Sequence, residues 1–245
     1  MMEIYLLPFL LLLSALLYSS VGHGGASAYL AVMALMEVAP AEMRPAALAL
    51  NVVVASIALI KFYRVGAFHW PLFFPLALAA VPMAFVGGWV GLPAQVYKPV
   101  MGLVLLYAAW GVFQRAHQVD VAVTHQMPQK SVLIGVGGLL GLLSGLTGVG
   151  GGVFLSPLLL LFQWAETRVI SGVSAAFILV NSLSGLAGVL LKQPIISHQL
   201  SYWMLAVMFG GYIGAEFGSK HLAVPVIRKL LALVLLIAAV KMLLS

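Results

Sequence analysis

The sequence predicts an all-α integral membrane protein built from two homologous halves. Its 245 residues are 63% hydrophobic and only 7% charged, with a mean hydropathy of +1.14, a balance that soluble domains do not have. Apolar segments of similar length recur in the same order on either side of one polar stretch, 114–130. We therefore expect a single transmembrane domain over 1–245, with repeat 1 at 1–113, a cytoplasmic linker at 114–130 and repeat 2 at 131–245.

Each half begins with an apolar stretch that a glycine-rich break interrupts. The apolar segments are 4–20, 27–36, 45–60, 71–92 and 99–113, then 131–147, 153–163, 169–191, 200–219 and 222–244. The two pieces around the second break are together too long for one straight helix across a hydrocarbon core of about 30 Å. A re-entrant helical hairpin with the glycines at its tip fits better. Each half is then a glycine-tipped hairpin plus three transmembrane helices.

Local matches support the assignment of repeats. The matching pairs are Gly22-x-Gly24-Gly25 with Gly148-x-Gly150-Gly151, Ala41-Glu42-Met43-Arg44 with Ala165-Glu166-Thr167-Arg168, Leu50-Asn51 with Val180-Asn181, and Gly87-Gly88-Trp89-Val90-Gly91 with Gly210-Gly211-Tyr212-Ile213-Gly214. Three full crossings per half is an odd number, so the second half enters the membrane from the opposite side. We therefore predict inverted repeats.

The basic residues orient these repeats. They are scattered singly at the ends of apolar runs, which is typical of topology signals rather than of a nucleic-acid surface. With hairpins, most of them fall on the side of the linker: Lys61, Arg64, Arg115, Lys130, Arg168, Lys220, Arg228 and Lys229, against Arg44, Lys98, Lys192 and Lys241. Four crossings per half would divide them evenly. The hairpin arrangement therefore places the linker in the cytoplasm and both ends of the chain outside.

The glycine breaks are candidate binding elements. Short helices that begin near Ser27 and Val153 would have unpaired amides and partial positive charge at their N-termini. Glycine lets successive amides converge on an anion without a side chain in the way. We therefore interpret the domain as a transporter domain whose small anionic substrate lies between the two tips. The candidate substrate-binding residues are Gly22, His23, Gly24, Gly25, Ser27, Asn51, Gly148, Val149, Gly150, Gly151, Gly152 and Asn181.

Several of these residues also have a purely structural interpretation. Asn51 and Asn181 could bond neighbouring helices without a ligand. His23 could bond a backbone group, or it could add charge to an anion site and carry a proton. Glycines at four-residue spacing are typical of close helix packing rather than of a site: Gly87, Gly91, Gly210, Gly214 and Gly218.

The second break also carries a family resemblance. Gly148-Val149-Gly150-Gly151-Gly152, followed by Leu155-Ser156-Pro157 and an apolar run, resembles the signature of the sulfite exporter TauE/SafE family, and the resemblance covers nearly the whole chain. It implies a small multi-pass permease of the bacterial inner membrane, with members linked to export of sulfite and short organosulfonates such as sulfoacetate. The first break departs from the second in having His23 and Ala26 where the second has valine and glycine.

The functional hypothesis is export of such a sulfur oxyanion by alternating access around the two tips, without enzymatic activity, cofactor or metal. An interior that is negative by roughly 100 mV favours expelling a monoanion by about 2.3 kcal/mol. The expected partners are the substrate and the lipid bilayer, with no nucleic acid, and the sequence is compatible with a homodimer. The alternatives are another small anion such as a carboxylate, a non-transporting scaffold, and an intramembrane hydrolase that uses Ser19, Ser20 or Ser27 with His23.

Overall fold

A computed structural model describes residues 2–115, 127–192 and 197–220, together with Leu236, Ala239, Val240 and Leu243. Every regular element in these residues is an α-helix. The helices are α1 (Met2–Ser19), α2 (Ala26–Leu35), α3 (Pro40–Arg64), α4 (Trp70–Val90), α5 (Ala94–Arg115), α6 (Lys130–Thr147), α7 (Gly152–Leu161), α8 (Thr167–Lys192) and α9 (Leu200–Lys220). Most of the linker, and nearly all of the segment predicted at 222–244, lie outside the described residues.

Helix lengths divide the described chain into long and short elements. Four helices are long and apolar enough to cross a membrane: α3 from Ala41, α4, α6 and α8. In contrast, α2 and α7 have 10 residues each, which corresponds to about 15 Å and is too short to cross. Each short helix follows an 18-residue helix across a glycine break. The two predicted hairpins therefore each have one long and one short arm, and α6 is among the four helices that are long and apolar enough to cross a membrane.

The long arm of each hairpin packs on a helix of the other half. Along α6, a methyl group added to Gly137, Gly141 or Gly145 would overlap carbonyl groups of α4. Along α9, additions to the three glycines at four-residue spacing would overlap carbonyl groups that α1 or the turn after it presents: Gly210, Gly214 and Gly218. This close backbone contact supports the packing interpretation of the α9 glycines. The halves are consequently interleaved, with α1 on α9 and α6 on α4.

The longest helix of each half forms the centre of the molecule. Helix α3 packs along α8, and each also contacts the short helix of its own half. The midpoints of these helices carry Asn51 and Asn181, whose side chains have no exposed area. The glycine breaks lie against these midpoints, which sets up the site described below.

Two lysines connect the halves near helix ends. Lys61 of α3 forms an ion pair with Glu216 of α9, and its ammonium lies 4.1 Å from the centre of the Tyr212 ring. Lys192 of α8 donates a 2.7 Å hydrogen bond to the carbonyl of Val90 in α4. Each contact joins the C-terminal ends of one central helix and one helix of the opposite half.

Candidate functional site

The two glycine breaks meet at one buried place in the centre of the helices. A Cβ atom added to Gly24 or to Gly150 would lie 3.0 Å from Cγ2 of Ile178, and both would overlap the side-chain amide of Asn51. Between the breaks themselves, Cδ2 of His23 lies 3.9 Å from the position that a Cβ of Gly152 would take. The sequence prediction that the tips face each other thus agrees with the contacts that these glycines make.

Asn51 bridges the two breaks. Its Oδ1 atom accepts a 3.1 Å hydrogen bond from the amide of Ala26, the first residue of α2. Its Nδ2 atom donates to the carbonyl of Val149 at 3.3 Å and to Oγ of Ser182 at 3.4 Å. One fully buried side chain therefore holds the first break, the second break and α8 together.

The backbone of both breaks requires glycine. The φ angles are +74° and +98° at Gly22 and Gly25, and +82°, +79° and +79° at Gly148, Gly150 and Gly151. Other residues adopt this left-handed region at a cost of order 1–3 kcal/mol. These turns end each long arm and lead directly into α2 and α7.

The polar side chains of the first break bond within the first half. Oγ of Ser27 donates to the hydroxyl of Tyr18 at 2.9 Å. The hydroxyl of Tyr29 donates to the carbonyl of Gly24 at 2.6 Å, and Nδ1 of His23 lies 3.0 Å from the carbonyl of Val21. Ser27, a predicted site residue, therefore bonds to α1 of its own half.

The second break has buried polar atoms without protein partners close to it. Among the described residues, Nδ2 and Oδ1 of Asn181, Oγ of Ser144 and Nε of Arg44 are buried and form no hydrogen bond. Nδ2 of Asn181 lies 3.4 Å from the position of a Cβ on Gly151. The structure therefore places Asn181 beside the second break and leaves its amide without a protein partner.

Arg44 is a residue of this region that the sequence interpretation missed, because it was counted as a topology signal. Its Cγ atom lies 2.8 Å from the position of a Cβ on Gly148, and its guanidinium donates to the carbonyls of Gly87, at 3.3 Å, and Gly88. Arg168, its match in the sequence repeat, is exposed instead. The available signal was the seven-residue spacing from Arg44 to Asn51, which places both residues on one face of α3.

The serines of the proposed hydrolase all bond groups other than His23. Oγ of Ser19 donates to the carbonyl of Gly211 at 3.0 Å, and Oγ of Ser20 donates to the carbonyl of Leu17 at 2.7 Å. Ser27 donates to Tyr18, as described above. A nucleophile must be within hydrogen-bond reach of its base, so these contacts do not favour the hydrolase.

Comparisons with known proteins agree with this architecture. The family described as Sulfite exporter TauE/SafE matches residues 7–242. The chain is similar to the probable membrane transporter protein y4hK of Sinorhizobium fredii (strain NBRC 101917 / NGR234), with 36% identity over 232 residues that cover 94% of each chain. No solved structure matches the chain. The protein therefore belongs to the sulfite exporter TauE/SafE family and is a multi-pass membrane transporter of that family.

Proposed function

We propose that the protein exports a small sulfur-containing oxyanion, sulfite or a short organosulfonate, across the inner membrane of a bacterium. The observation that carries this proposal is the buried contact between the two glycine breaks, each of which leads directly into the N-terminus of a short helix. Helix N-termini present amide donors and partial positive charge, which together replace part of the hydration shell of an anion. Family membership supports a transported substrate of this class.

The surroundings of the breaks favour a negative ligand. The atoms closest to the break glycines belong to amide, hydroxyl, aromatic and aliphatic side-chain groups, to the backbone of Ser171, and to the stem and backbone of Arg44, and none of these described contacts involves a carboxylate. Glycine backbone and dipolar groups bind an anion without holding it as tightly as several full charges would. Such a site suits a substrate that must leave as readily as it enters.

Inverted repeats and alternating access explain the arrangement of the helices. Asn51 lies beside Ser182, and Phe62 further along α3 lies beside Gly172 earlier in α8, so the two central helices run in opposite directions. The lysine contacts Lys61–Glu216 and Lys192–Val90 then lie at opposite ends of the molecule. Rocking of one half against the other about the breaks would open one end while the contact at the other end stays closed.

Flux into proteoliposomes tests the proposal. We expect saturable flux of sulfite and sulfoacetate that follows an imposed membrane potential, with weaker competition from sulfate and acetate. Saturable acetate flux without flux of either sulfur anion would favour the carboxylate alternative. Absence of flux for all four anions would contradict an anion transporter.

A matched pair of variants ties the flux to the second break. Gly151→Leu should abolish transport while the protein still inserts, because the added side chain meets the Phe177 ring, whose Cε1 atom lies 2.8 Å from the Cβ position, and φ is +79°. The control is Gly135→Leu in α6, where nothing lies within 4 Å of an added Cβ and transport should persist. Full transport by the Gly151 variant would contradict a site at the break.

A further inference from the structure

Buried polar atoms that lack a partner are concentrated at the second break. Among the described residues they belong to Arg44, Ser144, Asn181 and Trp203, and the first three of these residues border the break. Each buried unpaired group costs about 1–3 kcal/mol, so folded proteins rarely keep several at one place without a use. The concentration of unpaired atoms therefore indicates a ligand position.

The three residues border a short piece of chain. Asn181 contacts Gly151, which directly precedes α7, with Nδ2 at 3.4 Å from the Cβ position. The stem of Arg44 contacts Gly148, and the amide of Gly148 bonds the carbonyl of Ser144 at 2.9 Å. Three residues of extended chain span about 11 Å at most, so Gly151 beside Asn181 lies within that distance of Gly148 beside Arg44.

Asn51 and Asn181 occupy matching positions but have different surroundings. Both side chains are fully buried at the midpoints of the central helices. Asn51 uses both amide atoms, and its partner at the first break is the amide of Ala26 at the start of α2. Asn181 has no partner for either amide atom. The asparagine at the first break is thus fully bonded, whereas the matching asparagine at the second break has no protein partner.

We propose that the two breaks have different roles in the transport reaction: the second break binds the anion, and the first is a fixed support. The anion takes hydrogen bonds from Asn181, Ser144 and the first amides of α7, and the charge of Arg44 lies beside it. Asn51 is a positioning residue that holds the two breaks together. This inference rests on the proposed transport of an anion.

The donors define the ligand class. Nδ2 of Asn181, the hydroxyl of Ser144 and Nε of Arg44 all offer N–H or O–H groups, which an oxyanion with several oxygens accepts at once. Oδ1 of Asn181 accepts an O–H group, from the anion or from a water molecule that enters with it. A single arginine matches a singly charged oxyanion better than a dianion.

The test compares Asn181→Ala with Asn51→Ala, using flux kinetics with sulfite and thermal unfolding of the purified protein. For Asn181→Ala we expect KM to rise at least about tenfold while the unfolding temperature stays equal to wild type or increases, because an unpaired buried amide is removed. For Asn51→Ala we expect the unfolding temperature to fall by several degrees, because the amide of Ala26 and the carbonyl of Val149 lose their partner.

Ligand-induced stabilisation provides a readout that does not depend on transport. Saturating sulfite should raise the unfolding temperature of wild type and of Asn51→Ala, and at the same concentration should raise that of Asn181→Ala by clearly less. Unchanged KM in Asn181→Ala, or equal loss of stability in both variants, would overturn the assignment. If wild type carries acetate but no sulfur anion, the proposed substrate is wrong, and a tenfold rise of the acetate KM in Asn181→Ala would still support the second break as the binding element.

Discussion

The two glycine breaks have the same backbone frame and different chemistry. Both contain glycines with positive φ, both lead into a 10-residue helix, and both press against Asn51 and Ile178. The polar groups of the first break are paired with one another, whereas unpaired buried groups surround the second. The comparison teaches that a repeat can preserve backbone geometry while only one copy keeps unpaired buried polar groups.

The two breaks differ in sequence at two matching positions, and the contacts at these positions differ as well. At the second break a Cβ on Gly152 would overlap Ile178, so only glycine fits. At the matching position of the first break Ala26 is accommodated, and its amide bonds Asn51. His23 replaces Val149 and places its ring near Gly152, so the first break contributes a side chain to the contact where the second contributes only backbone.

The largest difference in transport between the two breaks is expected when one methyl group is added to each. Gly150→Ala should reduce transport by about 100-fold, because it combines a φ of +79° with overlap of Asn51. Gly24→Ala meets the same two neighbours without a left-handed backbone, so we expect a loss of about tenfold. Initial flux rates, normalised to inserted protein, measure both. Equal losses would show that the backbone conformation is not the deciding difference.

Arg44 gives the next largest effect. Arg44→Gln should raise the substrate KM by about tenfold, since it removes the charge of the arginine whose stem contacts Gly148 at the second break. Arg44→Lys should recover part of the affinity through its charge, but not the bonds to the carbonyls of Gly87 and Gly88.

Arg168→Gln is the matched control, because Arg168 is exposed and its loss should leave KM unchanged. Concentration-dependent flux of each variant gives the KM values. A similar KM for Arg44→Gln and wild type would mean that Arg44 acts only as a cap on the end of α4.

The interruption of the helices at both breaks could be predicted from the sequence, because it depends on the local glycine content and on the lengths of the flanking apolar segments. Each glycine in a run weakens a helix by about 1 kcal/mol, and the lengths of the flanking apolar pieces favour a reversal of the chain at the run. The structure agrees, with α1 and α2 separated by residues 20–25 and α6 and α7 by residues 148–151. The matching positions of Asn51 and Asn181 were likewise visible as a repeat.

The difference between the breaks could not be predicted, because it depends on contacts between distant segments. Sequence analysis assigned Asn51 and Asn181 the same two alternatives, yet one is bonded to Ala26 and Val149 and the other is unpaired. The interleaving of α1 with α9 and of α6 with α4 was also hidden, since a stripe of small residues does not identify the helix it packs against. Arg44 was missed because a basic residue near a helix end has the same pattern whether it orients the chain or faces a ligand.

A smaller effect is expected when the first break is made to resemble the second. His23→Val should reduce flux about two- to threefold and leave its pH dependence between pH 5.5 and 7.5 unchanged. The ring contacts the carbonyl of Val21 through Nδ1, which is the structural alternative for this histidine. Flux at a series of pH values with a fixed potential measures this. Loss of a pH-dependent component in the variant would instead assign proton transfer to His23.

The smallest effect is expected from the lysine contacts between the halves, at the ends of the central helices far from the breaks. Lys61→Met removes the ion pair with Glu216, and partly exposed pairs contribute about 0–1 kcal/mol. Lys192→Met removes one bond to a backbone carbonyl at the opposite end. If both contacts close alternate ends of the transporter, each variant should change the maximal rate by about threefold or less with unchanged KM, because the anion site is intact. A raised KM in either variant would mean that these ends contribute to binding, and the second break would then not be the whole of the site.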